Sequence, residues 1–263
     1  MNDNSFHLVV GTPCFGGQVY GAYFTSMFKL QEACVKNRIP FTLLMSPDET
    51  LITRARQDLV ARFLEIPGAT HLLFVDADIG FEPEQAFRLL RFNEDVTAAV
   101  YPLKKLDWEK IKKMVLAGED HPESAALSYI CELIRPGQVR DWFAKASYVG
   151  NGFLMIRRSA LAAMMAHYPR LRYETTNRPG DPLSHSPFRY AFFNCLLDEK
   201  AHTYLPEDYS FCKRWTDIGG EIWVDMGSRL DHVGSTLFKG NTMRQKGPGP
   251  VPGVLPKGLT APS

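Results

Sequence analysis

Two aspartates, Asp76 and Asp78, stand one residue apart directly after the apolar run HLLFV, in the stretch HLLFVDADIGFEP. In extended backbone, side chains one residue apart point to the same side. Two neighbouring carboxylates need a cation, and oxygen ligands suit a hard ion such as Mn²⁺ or Mg²⁺. The spacing therefore predicts a divalent-cation site. The alternative reading is a pair of acids that caps the turn before the next helix.

Strand-like and helix-like patterns alternate through the first hundred residues. The apolar runs HLVVG, PFTLLMS, HLLFV and VTAAV are typical of buried parallel strands, and the segments between them have apolar residues at helical spacing. The pattern predicts an α/β fold. Because ligands gather beyond the carboxyl ends of such strands, Gly11, Thr12 and Pro13 should share one edge of the sheet with Asp76 and Asp78.

The second half of the chain continues this pattern after an interruption. Residues 104–140 are charged and helix-forming, which predicts a helical insert over the sheet. Strand patterns return in SYVGNGFLMIRR and in EIWVD, and the last residues are rich in glycine and proline. We therefore predict a single folded domain over residues 1–240 and a tail over residues 241–263.

Composition excludes several classes of protein. The chain has 263 residues, 45% of them hydrophobic, and a formal net charge of +1, so no global field would attract nucleic acid. Its five cysteines are scattered and form no Cys-x-x-Cys pair, which predicts reduced thiols. The sequence shows neither a signal-peptide pattern nor an apolar run of about 18 residues, so we expect a cytoplasmic protein without a transmembrane segment.

Four segments, taken in order, resemble one enzyme family. They are ETLITRARQDLVARFLEIPGATHLLFVDADIGFEP, YVGNGFLMIRRSAL, PEDYSFCKRWTDIGG and DHVG, and the resemblance they support extends over roughly residues 8–235. Their arrangement resembles the nucleotide-sugar-dependent glycosyltransferases of the GT-A fold: an Arg-containing helix, an apolar strand ending in Asp-x-Asp, a Gly-rich strand-to-helix segment, an acidic helix start and a late histidine. Each motif is weak, and their order is the stronger signal.

The resemblance implies a Rossmann-like GT-A fold with a mixed, mostly parallel sheet flanked by helices. It also implies an Mn²⁺- or Mg²⁺-dependent enzyme that transfers a sugar from a nucleoside diphosphate sugar to a hydroxyl of a glycan or similar acceptor. The metal would be held by Asp78 and His232, with Asp76 binding the ribose or the metal through water. Residues 76–78, including Ala77, would contact the donor.

The resemblance assigns the remaining roles as well. Asp208, next to Glu207, would be the base that deprotonates the acceptor, or would help to bind the acceptor if the enzyme retains configuration. The "GNG" residues Asn151 and Gly152 would line the acceptor site. The other implied contacts are with the donor: Gly11, Thr12 and Pro13 with the nucleoside, and Arg54 and Arg56 with the diphosphate. Each has a plainer alternative: first-turn acids for the pair 207–208, a solvated helix face for the arginines, and a surface position for His232.

Three other functions compete with this interpretation. A nucleotidyltransferase that makes sugar nucleotides shares the fold class, but its Gly-rich N-terminal signature with a basic residue is missing here. A phosphatase of the haloacid-dehalogenase type also ends a strand with a nucleophilic aspartate followed two residues later by a second one. That motif normally lies on the first strand with a small hydroxyl residue soon after it, whereas here Ile79, Gly80 and Phe81 follow. A catalytically silent nucleotide- or sugar-binding scaffold would retain the fold without the chemistry.

A segment after the fourth predicted strand also reaches this edge. Tyr101, Lys104 and Lys105 follow VTAAV, and a lysine at this position can offset the charge of a pyrophosphate. The alternative is an ordinary charged loop.

Overall fold

A computed structural model describes residues 6–134, 138–175, 181, 183–198 and 202–244. The strands are β1 Leu8–Pro13, β2 Phe41–Ser46, β3 His71–Val75, β4 Ile79–Gly80, β5 Val96–Ala99, β6 Cys131–Leu133, β7 Val139–Arg140, β8 Phe143–Val149, β9 Phe153–Arg157, β10 Leu196–Asp198, β11 Thr203–Leu205, β12 Ile222–Asp225, β13 Asp231–Val233 and β14 Leu237–Lys239. The helices are α1 Gly21–Lys36, α2 Ile52–Glu65, α3 Pro83–Phe92, α4 Trp108–Leu116, α5 Pro122–Ala125, α6 Arg158–His167 and α7 Glu207–Asp217.

A nine-stranded sheet forms the centre of the described chain, in the order β2-β1-β3-β9-β5-β12-β8-β6, with β7 also paired to β8. The pairs β1–β2, β1–β3 and β5–β12 are parallel. Strands β8 and β9 are antiparallel to all of their neighbours, so the other seven run in one direction. This confirms the predicted fold class, a mixed, mostly parallel α/β sheet, and is consistent with a Rossmann-like GT-A fold.

The core consists of two apolar layers, one on each face of this sheet. On one face, α1 and α3 pack with residues such as Tyr23, Leu30 and Leu89, and on the other face α2, α6 and α7 pack with residues such as Phe63 and Phe211. All five residues of β3 are buried. This double burial explains why HLLFV is continuously apolar, and it fixes the point where the chain turns polar at Asp76.

A second, smaller sheet extends from the end of β3. Strand β4 pairs antiparallel with β13, and β13 pairs with β14, so that Ile79 lies opposite His232. The Val233 amide also donates to the Asp78 carbonyl oxygen at 2.9 Å. Gly80 permits this close packing, since a Cβ there would lie 3.1 Å from the Ala22 Cβ and 3.4 Å from the Asp231 Cβ. The small sheet thereby joins segments that lie about 150 residues apart in the sequence.

The insert over residues 104–140 differs in part from its prediction. Helices α4 and α5 form there, but β6 and β7 also form and extend the main sheet through β8. Strands of two and three residues are too short to produce a readable alternation, so the pattern concealed them.

The predicted C-terminal tail begins within the folded body. Thr242 is fully buried and donates its hydroxyl to the Met226 carbonyl oxygen at 2.7 Å. Residues 245–263 lie outside the described residues, and the division of the chain at residue 240 stays a prediction. None of the helices in the described part of the chain has both the length and the apolar character that a membrane span requires.

Candidate functional site

The acidic motif lies where β3, β9 and the small sheet meet. After Val75 the chain leaves the main sheet, and the Asp76 amide donates to the Gly152 carbonyl oxygen at 3.0 Å. The Asp78 carbonyl oxygen accepts from Val233 of β13. These two backbone bonds fix the main chain on both sides of Ala77, and the two carboxylates face different partners.

Asp78 contacts two basic side chains. Lys104 donates from Nζ to Asp78 Oδ2, and His232 places Nε2 3.4 Å from Asp78 Oδ1. The Asp78 side chain is 23% exposed. Burial alone would raise the pKa of this carboxyl, but His232 and Lys104 outweigh it and hold the pKa below its ordinary value. Asp78 is therefore ionised across the neutral range.

The orientation of His232 suits a metal ligand. Its Nδ1 lies 2.7 Å from the Pro102 carbonyl oxygen, which can only accept, so Nδ1 carries the proton. In the neutral ring, Nε2 then presents a lone pair towards Asp78 Oδ1, an atom that is buried without a hydrogen-bond partner among the described residues. Two acceptors this close need a proton or a cation between them. Histidines that bind metals commonly anchor their second nitrogen on a carbonyl in this way.

The donor set is small. Within the described residues, no group of three or more His, Cys, Asp or Glu side chains converges on one point. A divalent ion at this position would be held by Asp78 and His232, and its other coordination positions would remain for ligand oxygens. An imidazole beside a carboxylate suits Mn²⁺ better than Mg²⁺, which prefers oxygen ligands.

Asp76 has a different partner, the buried Arg56 of α2. Arg56 Nη2 donates to Asp76 Oδ1 at 2.9 Å, and Arg56 Nε lies 3.8 Å from Glu207 Oε1. Its guanidinium also lies over the Phe74 ring. Burial alone would lower the pKa of Arg56, but the carboxylates of Asp76 and Glu207 outweigh it and the net shift is upward. Arg56 thus connects the strand-end acids to the helix-start acids.

Glu207 and Asp208 open helix α7 after Pro206. Burial, and after it the neighbouring charge of Glu207, raises the pKa of Asp208 to about 6, although Arg56 acts in the opposite direction. Its Oδ1 accepts from the Tyr209 amide at 2.8 Å. A carboxyl with a pKa near neutrality suits proton transfer at physiological pH.

The "GNG" segment lies beside Arg56 and Tyr101. Asn151 is 1% exposed, and neither atom of its side-chain amide has a hydrogen-bond partner among the described residues. A Cβ on Gly152 would lie 2.7 Å from the Tyr101 Cζ, and the Gly152 amide donates to the Tyr101 hydroxyl at 3.1 Å. A glycine at position 152 therefore makes room for the Tyr101 ring, whereas the sequence interpretation expected it to make room for an acceptor sugar.

Comparison with known proteins finds distant structural neighbours. No protein-family model matches the chain, and no curated protein matches it. Among solved structures, A197 from STIV is 15% identical with a TM-score of 0.48, covering 90% of this chain and 95% of its own. A glycosyltransferase involved in the glycosylation of the major capsid of PBCV-1 is 10% identical with a TM-score of 0.32, covering 70% and 72% respectively.

A third neighbour is 4-diphosphocytidyl-2C-methyl-D-erythritol synthase from Anaerococcus prevotii DSM 20548. It is 10% identical with a TM-score of 0.34, and the match covers 66% of this chain and 81% of that one. At these identities and scores the neighbours carry no argument about activity or site residues. The functional argument therefore depends on the geometry of the chain itself.

The other candidate residues lie outside this group of contacts. Arg54, two residues before Arg56, is bound to Glu49 and its side chain is 38% exposed, against 3% for Arg56. Gly11 lies inside β1, opposite Leu44 and Phe74 in the neighbouring strands. The remaining two residues also belong to β1: the buried Thr12, whose hydroxyl lies 2.6 Å from that of Tyr23, and the half-buried Pro13.

Residues after β5 contribute more to the site than the sequence interpretation assigned to them. Pro102 anchors His232, Lys104 contacts Asp78, and the ring of Tyr101 packs edge-on against that of His232 with centroids 5.1 Å apart. Their position directly after a parallel strand was the available signal. Lys104 pairs with Asp78, and a contact of this lysine with a pyrophosphate stays a prediction.

Proposed function

We propose that this chain is a metal-dependent glycosyltransferase. It would transfer a sugar from a nucleoside diphosphate sugar to a hydroxyl of a glycan or similar acceptor. The observation that carries the proposal is the pairing of Asp78 Oδ1, buried without a hydrogen-bond partner among the described residues, with His232 Nε2 at 3.4 Å. Arg56, which pairs with Asp76, also acts on Asp208, a carboxyl with a pKa of about 6.

The strand-end acids serve the leaving group. Asp78 and His232 would hold Mn²⁺ or Mg²⁺, and this ion would neutralise charge that gathers on the diphosphate as its bond to the sugar breaks. Asp76 remains oriented by Arg56 and contacts the donor from the other side of Ala77. Arg56 itself is too buried to reach a ligand, so its role is to position carboxylates.

The helix-start acids serve the acceptor. Asp208 accepts the proton of the acceptor hydroxyl as the hydroxyl oxygen bonds to the anomeric carbon of the donor sugar. The bond from that carbon to the diphosphate oxygen breaks at the same time. The diphosphate leaves with the electron pair of that bond. General bases of this kind contribute roughly a hundredfold to ten-thousandfold in rate.

Thermal-shift measurements test donor binding. Uridine, guanosine, cytidine and adenosine diphosphates would be added with Mn²⁺ or with a chelator. One nucleotide at about 100 times its Kd should stabilise the fold by about 2.7 kcal/mol, or about 5–10 °C in a chain of this size, and only with Mn²⁺ present. Asp78→Asn should abolish the shift, whereas Asp120→Asn, which changes an exposed carboxylate, should retain it.

Turnover of the matching nucleotide sugar completes the test. Asp78→Asn should lower metal-stimulated turnover at least about a hundredfold, with an unchanged circular dichroism spectrum. Full turnover in this variant would refute the proposed metal site. Release of inorganic phosphate instead of nucleoside diphosphate would indicate a phosphohydrolase, and metal-independent nucleotide binding without turnover would indicate a scaffold.

A further inference from the structure

The lysine next to the candidate metal ligands occupies one side of the same carboxylate. Lys104 Nζ contacts Asp78 Oδ2, while Oδ1 faces His232. One carboxylate thus faces an internal ammonium on one oxygen and the imidazole Nε2 of His232 on the other. A divalent ion that binds Asp78 encounters the positive charge of Lys104 at close range, and like charges repel strongly in a half-buried site.

Packing shows that this placement of Lys104 is specific. Its aliphatic stem lies over Gly234 in the turn between β13 and β14, where a Cβ would come within 3.0 Å of the Lys104 Cδ. Pro102, two residues before Lys104, anchors His232 through its carbonyl oxygen. The Lys104 side chain is nevertheless 35% exposed, and Leu103 and Lys105 beside it are exposed, so a displaced ammonium would enter solvent.

We propose that Lys104 is a built-in competitor of the divalent cation for Asp78. In the free protein the ammonium compensates the carboxylate charge, and Mn²⁺ must displace it to bind. Once displaced, the flexible lysine remains beside the site, where its three N–H groups are available to the donor diphosphate. The inference rests on the proposed function for the identity of the cation, but competition at Asp78 can be measured without any turnover.

The test is a titration of the full chain with Mn²⁺ alone, following the electron paramagnetic resonance signal of the free ion. Lys104→Met should bind Mn²⁺ about threefold to tenfold more tightly than the unaltered chain, the range expected from removing a partly buried competing ion pair. Lys105→Met is the matched control, because it removes the same charge from the next, exposed position and should change the affinity little.

Repeating the titration in the Asp78→Asn variant tests whether the effect of Lys104→Met on Mn²⁺ affinity depends on Asp78. In Asp78→Asn, Mn²⁺ binding at this site should be lost, and adding Lys104→Met should restore none of it. Melting curves of all variants check that the fold is retained. An equal gain from Lys105→Met would overturn the proposal, because the effect would then be that of the general field.

The remaining outcomes separate this inference from the proposed function. Equal Mn²⁺ affinity in the unaltered chain and in Lys104→Met overturns the competition and leaves the glycosyltransferase proposal intact. Absence of Mn²⁺ binding from both overturns the competition and the metal dependence together. Tighter binding in Lys104→Met without sugar transfer in any variant supports the competition and counts against the transferase.

Discussion

The molecule contains two pairs of neighbouring acids that the sequence alone makes look alike. In the strand-end pair, each carboxylate has its own cation: Arg56 for Asp76 and Lys104 for Asp78. In the helix-start pair, Glu207 lies 3.8 Å from Arg56, whereas burial and the charge of Glu207 raise the pKa of Asp208 and Arg56 acts in the opposite direction. The number of acids is equal, but the distribution of positive charge is not.

This difference divides the chemistry between the pairs. The pKa of Asp78 is held below its ordinary value despite burial, so this carboxylate stays ionised near neutral pH, as its proposed role of metal ligand requires. The pKa of Asp208 is raised to about 6 by burial and by Glu207, so it can take and release a proton near neutrality. Arg56 lies between the pairs and influences both.

Removing the proton-accepting carboxyl should have the largest effect. Asp208→Asn keeps the shape of the side chain and removes its basicity, so kcat should fall roughly a hundredfold to ten-thousandfold while donor binding with Mn²⁺ stays unchanged. Single-turnover kinetics with the matching nucleotide sugar would measure this. Unchanged kcat would show that the two pairs do not divide the chemistry as described.

The same variant provides a stability control with a defined sign. Asp208 has a folded pKa of about 6 against an ordinary value of 3.8, so stability from the protonated form is lost as pH rises through 6. Asparagine never ionises. After discounting for partial exposure, Asp208→Asn should therefore raise the free energy of unfolding by on the order of 1–2 kcal/mol at pH 7.5, and the gain should disappear near pH 4.

Removing the shared cation should have the next largest effect. Arg56→Met leaves Asp76 and Glu207 without their buried partner, and breaking a buried pair from one side costs about 3–5 kcal/mol in unfolding free energy. Urea denaturation at pH 7.5 would measure it. Arg91→Met is the matched control, because its pair with Glu84 is exposed and such pairs contribute less than about 1 kcal/mol. Equal losses in the two variants would mean that Arg56 does not connect the pairs.

The strand-end pair was predictable from the sequence because its position follows from the sheet. Burial of β3 on both faces requires a continuous apolar run, and the first polar residues after it, Asp76 and Asp78, necessarily lie at the carboxyl edge. The alternation of strands and helices predicted the α/β class for the same reason. These features depend on residues close together in the sequence.

The basic partners of Asp76 and Asp78 could not be predicted, because they are set by long-range contacts that no local sequence pattern encodes. Two arginines two residues apart on α2 differ in fate: Arg54 is half-exposed and bound to Glu49, whereas Arg56 is buried against Asp76. Which one faces inward is decided by how α2 packs over β1. The approach of His232 to Asp78 depends on the pairing of β4 with β13, strands of two and three residues.

The smallest and sharpest prediction concerns the charge inside the helix-start pair. Glu207→Gln removes the negative neighbour that raises the pKa of Asp208, so the acid limb of the kcat/KM profile should move to lower pH by up to about one unit. Arg56→Met should move the limb in the opposite direction, because Arg56 lowers that pKa. Opposite shifts from two neighbours would identify Asp208 as the titrating group.

A charge change farther along the same helix separates this local effect from a general one. Asp217 ends α7 ten residues later, roughly 15 Å along the axis and beyond the screening length of about 8 Å at physiological salt. Asp217→Asn should therefore leave the acid limb in place. If Asp217→Asn moved the acid limb as far as Glu207→Gln does, the shift would be caused by the change in net charge. If Glu207→Gln left it in place, a group other than Asp208 would be accepting the proton, and the contrast between the two acid pairs would have no catalytic meaning.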